Sequence, residues 1–331
     1  MSSTGNGSAA NGGRGETIIT VTNLTKRFGE LIAVDNLSFE VFDGEIFGFL
    51  GPNGAGKSTT LNIISSLLDF DKGEITVGGF NLEKDARKIK AMIGLVPQEI
   101  ALFGNLTAQE NVAFFAGLYG LKGAQLKKAV AEALAFVGLT EHAKKRAGKM
   151  SGGMKRRLNI ACGIAHSPQI IILDEPTVGV DAQSREHIMG SIRTLRDRGA
   201  TIIYTSHYMP EVQEICDRIA IIDHGKLIAI GTELELLETV TDVRSIIIRA
   251  RFGDQQARAT LIDKLNVLPG VRHTSFDEAG ENLCVDMALV HNDISPLMHV
   301  LIEQGVQVEA LNSEAPNLET TFLALTGREL R

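Results

Sequence analysis

The spacing of apolar and polar positions changes several times along the chain, and each change marks an element. From Thr17 the pattern is that of short strands. Ile18, Ile19 and Val21 open one, and Leu37, Phe39 and Val41 alternate with Ser38 and Glu40, the period of a strand buried on one face. Residues 45–50 form an apolar run that stops at a glycine cluster, and 57–68 then reads as a helix with Leu61, Ile64 and Leu68 on one side. Ile93–Val96 is a short strand ahead of Pro97. The stretch from Thr107 to His166 is helical in pattern. Thr107 and Glu110 have capping-box spacing before Val112, Phe115 and Tyr119, and Ser151 is placed to cap a helix carrying Leu158, Ala161, Cys162 and Ala165. Strands return at 170–173, 201–205 and 218–223, and His224-Gly225 joins the last to 226–230 as a hairpin. A helical block inserted into a strand-and-helix body predicts a mixed α/β layer fold.

The character shifts near 239–242. Residues 245–250 read as a strand, 254–265 as a helix, 271–276 with 283–287 as a strand pair, 294–304 as a helix and 306–311 as a strand. This β-α-β-β-α-β order predicts a small α+β domain of the ferredoxin-like kind. A last helix places Leu318, Phe322 and Leu325 on one face, with Gly327 placed to end it. The first sixteen residues are rich in Gly, Ser, Asn and Ala, without an apolar stretch, and read as a flexible tail. The expected organisation is a tail at 1–16, an α/β domain at 17–240 and a regulatory or assembly domain at 241–331.

Composition narrows the function classes. A chain of 331 residues fits two domains at roughly 100–200 residues each. Apolar residues are 44% and charged residues 22%, which is globular rather than disordered. The net charge is −7 and neither part has a basic excess, so no nucleic-acid partner is expected. No apolar run reaches the ~18–20 residues of a membrane-spanning helix, so any membrane association comes through a partner or a surface. Cys162, Cys216 and Cys284 lie far apart without a CxxC pair, the usage of reduced core thiols in a cytoplasmic protein.

The chemistry begins at Gly51-Pro52-Asn53-Gly54-Ala55-Gly56-Lys57-Ser58, which fits the phosphate-loop pattern G-x-x-x-x-G-K-[ST] and is followed by Thr59. Glycines let the backbone wrap a phosphate with its amides pointing inward, and the helix that follows presents its positive end. Lys57 is placed to reach the β- and γ-phosphates of a nucleotide, and Ser58 to ligate Mg²⁺. The apolar run 170–173 ends in Asp174 and Glu175. Asp174 is placed to hold the Mg²⁺ shell, and Glu175 to polarise the attacking water.

Met150-Ser151-Gly152-Gly153-Met154 stands at a helix start between those two sites. It resembles the L-S-G-G-Q signature of ATP-binding-cassette (ABC) ATPases, and over 17–240 the motifs come in that family's order. The resemblance implies a P-loop NTPase cassette with a mixed sheet and an inserted helical subdomain, hydrolysing ATP to drive transport. It implies that Phe28 stacks on adenine, that Gln98 is the metal-contacting relay glutamine, and that His207 is the γ-phosphate switch. It further implies that Ser151, Gly152 and Gly153 grip the nucleotide of a second copy, towards which the loop of Asp181 crosses. Met150 departs mildly from the usual Leu. Met154 replaces the usual Gln, which removes an amide contact but leaves the anion site of Ser151 and the backbone.

The run Ser-Gly-Gly-Met-Lys-Arg-Arg and the end 316–327 are similar to ATP-binding subunits of bacterial multidrug exporters of the daunorubicin-resistance type. That likeness implies a homodimer bound to a separate integral-membrane permease at the cytoplasmic side of the membrane. Ala101, Leu102, Phe103 and the helix 114–119 would then line the groove for a membrane-subunit helix. The alternative is a soluble ABC ATPase acting on nucleic acid or ribosomes. Such proteins usually carry two cassettes, long coiled coils or zinc sites, none of which is visible in the sequence.

Overall fold

The first alternating stretch folds as two long strands rather than several short ones. β1 (Thr17–Phe28) pairs antiparallel with β2 (Leu31–Phe42), with bulges along the pair. β3 (Ile46–Leu50) is buried throughout and leads into α1 (Lys57–Ile64). The helix stops short of the predicted Leu68. Ser65 Oγ donates back to the Leu61 carbonyl and Ser66 turns to φ 57°, which breaks the helical path. β4 (Lys72–Val77), β5 (Phe80–Asn81) and α2 (Ala86–Met92), not foreseen in the sequence, precede β6 (Ile93–Val96).

The helical block consists of α3 (Ala108–Leu118), α4 (Gly123–Phe136) and α5 (Gly152–Ile164). The capping box of Thr107 and Glu110 forms as expected. Then follow β7 (Ile170–Asp174), α6 (Ala182–Asp197), β8 (Thr201–Ser206), α7 (Met209–Ile215), β9 (Arg218–Asp223) and β10 (Lys226–Gly231). The β9–β10 turn has φ 46° at His224 and 76° at Gly225, the two positive values that a tight hairpin of this hand requires.

One sheet has the order β2-β1-β4-β5, and the other β10-β9-β3-β8-β7-β6. The strands from β9 to β6 in the second sheet run parallel. Phe39 of β2 stacks on Phe47 at 5.7 Å and meets Phe49 edge-on at 5.1 Å, so both sheets share one core. The parallel strands bring the C-terminal ends of β3, β7 and β8 together, where ligands bind in open α/β sheets.

This computed structural model describes residues 15–239, 243–252, 255–277, 281–288, 293–314 and 317–327. The tail expected at 1–16 lies almost wholly outside them, as does Pro316. The chain divides into two compact units, one within Met1–Ile230 and one within Gly231–Leu330. The second begins with α8 (Glu233–Glu238), followed by β11 (Val243–Arg251), α9 (Gln255–Asn266), β12 (Val271–Phe276), β13 (Asn282–Ala288), α10 (Ser295–Glu303), β14 (Gln307–Glu314) and α11 (Leu318–Thr326). Its strands form an antiparallel sheet of order β12-β13-β11-β14. Ile246, Ile248, Leu265, Leu283, Leu297 and Leu301 make a core of their own. α11 buries Leu318 and Phe322 and packs against α8 within this unit, with Gly327 ending it at φ 72°.

Candidate nucleotide site

The loop between β3 and α1 opens on a cleft of 550 Å³ lined by Phe28, Gly54, Lys57, Ser58, Gln98 and Glu175, among others. Asn53, Ala55, Gly56 and Thr59 also line it. Gly56 has φ 98°, and a Cβ there would run into the Ala33 carbonyl, so the loop admits only glycine at this point. Lys57 is buried. Its Nζ donates to the carbonyl oxygens of Gly51 at 2.5 Å and Pro52 at 3.1 Å, folding the side chain over the loop. Burial lowers its pKa, while the charges of Glu175 and Asp174 oppose that shift.

Parallel pairing of β7 with β8 sets Asp174 opposite Thr205. Thr205 Oγ1 donates to Asp174 Oδ1 at 2.6 Å and accepts from the Glu175 backbone N–H at 2.9 Å. Glu175 is 5% exposed and has φ 45°. A glutamate rarely adopts that conformation, and its surroundings must hold it there. Both carboxylate oxygens are engaged. Gln98 Nε2 donates to Oε2 at 2.9 Å, and His207 Nδ1 lies 3.0 Å from Oε1. Phosphate loop, Gln98, Asp174, Glu175 and His207 thus converge from β3, β6, β7 and β8. Phe28 sits on the rim, 48% exposed, with Lys26 Nζ 5.4 Å from its ring centre.

A second group forms away from that cleft. Ser151 caps α5, its Oγ accepting from the Met154 N–H at 3.3 Å. Asp181 caps α6, accepting from Ser184 N at 2.8 Å and Ser184 Oγ at 2.9 Å. These bonds hold the Asp181 carboxyl below its ordinary range. A Cβ on Gly153 would run into Ser184 Oγ and lie 3.3 Å from Asp181 Oδ2, so the two helix starts are packed together. Ser151, Gly152 and Asp181 are exposed, and none of them lines the nucleotide cleft.

Thr205 and Arg156 were not singled out from the sequence. Arg156, buried in α5, donates to the Pro97 carbonyl at 3.1 Å, next to Gln98. Its position within the Ser-Gly-Gly-Met-Lys-Arg-Arg run was the available signal. Phe103, Phe114 and Phe115 form an aromatic cluster, with Phe103 and Phe114 4.8 Å apart. It stands beside a cavity of 440 Å³ that Ala101, Phe115, Leu118 and Tyr119 help to line. Leu102, Phe103 and Phe114 are not among the residues lining it.

A phosphate-wrapping loop at a helix start, facing a strand-end carboxylate pair with a glutamine and a histidine on the second carboxylate, defines a P-loop nucleotide-hydrolysing cassette. The chain belongs to the ABC transporter family, as an ATP-binding subunit with ATPase chemistry: the family profile described as ABC transporter matches residues 34–178. It is 44% identical over 316 residues to the linearmycin resistance ATP-binding protein LnrL of Bacillus subtilis, covering 95% of this chain and 100% of that protein. It is 35% identical over 318 residues to the Nod factor export ATP-binding protein I of Sinorhizobium fredii, covering 96% and 88%. Among solved structures, a dimeric ATP-binding cassette in a post-hydrolysis state with ADP and Pi matches with TM-score 0.60 and 29% identity, over 65% of this chain and 98% of that one. A nucleotide-free ABC cassette matches with TM-score 0.62 and 25% identity, over 69% and 96%.

Proposed function

We propose that this chain hydrolyses Mg²⁺-ATP for an exporter of drugs or other hydrophobic compounds. Two copies enclose two nucleotides, and separate integral-membrane subunits hold them at the cytoplasmic face of the membrane. The observation that carries this reading is the division of the site residues into two groups. The cleft has a phosphate loop and a held carboxylate, while Ser151 and Asp181 stand exposed outside it. A second copy's nucleotide is the ligand the Ser151 helix start suits, with the Asp181 loop crossing towards that copy.

Within the cleft, Lys57 exchanges the Gly51 and Pro52 carbonyls for phosphate oxygens. Glu175 takes the proton of the attacking water, and Gln98 and His207 hold its carboxylate on line. Phe28 offers a ring face to adenine. The Ser58 hydroxyl, the Gln98 carbonyl oxygen and Asp174 are hard oxygen donors of the kind Mg²⁺ takes. Thr205 engages Oδ1 of Asp174 and leaves Oδ2 for that role. A Mg²⁺ ion held there would supply positive charge against the negative charge that develops on the phosphates.

The two similar proteins named for resistance and export support an exporter over an ATPase acting on nucleic acid or ribosomes. Among the described residues no helix is long and apolar enough to cross a membrane, and in this reading a separate integral-membrane chain supplies the span. The aromatic cluster beside the 440 Å³ cavity offers that chain an apolar seat.

Mixing Ser151→Arg with Lys57→Ala tests the shared site. Each variant alone is expected to be inactive. In the mixed pair one composite site carries both lesions and the other carries neither, so part of the ATPase activity should return. No return, with the mixed pair shown to form, would contradict the shared site.

A further inference from the structure

Glu211 lies in α7, one turn beyond His207, and is 3% exposed. No step above uses it, yet its carboxylate gathers side chains from three segments. Oε2 accepts from Thr177 Oγ1 at 2.7 Å, from Tyr204 OH at 2.7 Å and from Ser206 Oγ at 3.3 Å. Oε1 lies at ion-pair distance, 3.0 Å, from Arg185 Nε.

The sequence positions of these partners carry the argument. Thr177 follows Glu175 by two residues. Ser206 directly precedes His207, and Tyr204 lies beside the Thr205 that holds Glu175 N–H. Arg185 stands one turn into α6, on the helix that Asp181 caps. A buried carboxylate persists only where hydrogen bonds and an opposite charge satisfy it. Here those bonds fall on either side of both groups that meet at the reacting water. Glu175 itself occupies a backbone conformation that needs external support, at φ 45°. Thr205 supplies that support at its N–H, and the Thr177–Glu211 bond supplies it on the far side.

We propose that Glu211 is a positioning residue for hydrolysis, fixing the segments of Glu175 and His207 against each other and tying both to the helix that begins at Asp181. This rests on the role given to Glu175 above. Glutamine at 211 keeps the shape but turns one acceptor into a donor, so either the three hydroxyls or the Arg185 guanidinium then face an N–H.

The test is steady-state ATP hydrolysis by Glu211→Gln, Tyr204→Phe and Arg185→Met, with ATP affinity measured separately and turnover expressed per bound nucleotide. Glu211→Gln is expected to lose about 10- to 100-fold in kcat, the scale of a misplaced reacting group, with KM and ATP affinity nearly unchanged. Tyr204→Phe and Arg185→Met should lose severalfold with the same split. Tyr204→Phe keeps the buried volume, so it answers the question even if Glu211→Gln does not fold. Wild-type kcat per site in Glu211→Gln or Tyr204→Phe overturns the proposal. So does a kcat loss matched by an equal loss of ATP affinity, the mark of a merely structural role. Glu175→Gln run alongside separates the layers: if it turns over normally the hydrolytic reading fails, and if only it is impaired then Glu211 alone is wrongly placed.

Discussion

At the scale of single residues, the loop glycines, Lys57, Ser58, Asp174 and Glu175 were legible because their chemistry depends on local spacing along one strand-to-helix turn or one strand end. Phe28 came instead from the resemblance to ABC ATPases, and its surroundings sharpen that expectation. Lys26 Nζ sits over its ring at 5.4 Å, and the ring is 48% exposed; the proposed adenine stack would use the face away from Lys26. Phe28→Ala should therefore weaken ATP binding by about 1–3 kcal/mol, the worth of one aromatic stack on a base. Tripolyphosphate, which has no base, should bind as before. Calorimetric titration of both ligands checks this, and equal loss for both would make Phe28 a structural residue. Thr205 and Glu211 were not legible. Thr205 acts on Asp174 across 31 positions through the pairing of β7 with β8, and Glu211 reaches Thr177 across 34 positions from α7.

At the scale of elements, strong caps and long periods read correctly. The capping box of α3 and the serine cap of α5 are in place. β4 was missed because its buried apolar positions are only Ile75 and Val77, after Lys72-Gly73-Glu74, and β5 because two residues carry no period. The end of α1 was misplaced because Ser65 and Ser66 break a helix whose apolar spacing continues to Leu68. The close approach of α5 and α6 was equally hidden, although Gly153 makes it possible. Gly153→Ala places a methyl group against Ser184 and should cost about 1–3 kcal/mol as overpacking. Denaturant unfolding measures it. An unchanged midpoint would mean that the two helix starts are not packed as described.

At the scale of the whole molecule, the second unit has its own sheet and core, and every residue lining the nucleotide cleft precedes it. A chain ending at Val240 is expected to bind ATP as the full chain does and to lose nucleotide-free self-association or its hold on the membrane complex. Light scattering without nucleotide, beside ATP affinity, checks both halves. Loss of ATP binding in a folded truncation would mean that the second unit completes the site.

The central claim is that Glu175, held by Gln98 and His207, activates water in a site that two copies close. Glu175→Gln tests it most directly. The variant should bind ATP normally and lose about 10²–10⁴-fold in turnover, the contribution of a positioned general base. With ATP trapped unhydrolysed, light scattering of the same variant cut after Val240 should report twice the mass seen without nucleotide. Near wild-type turnover in this variant would contradict the account.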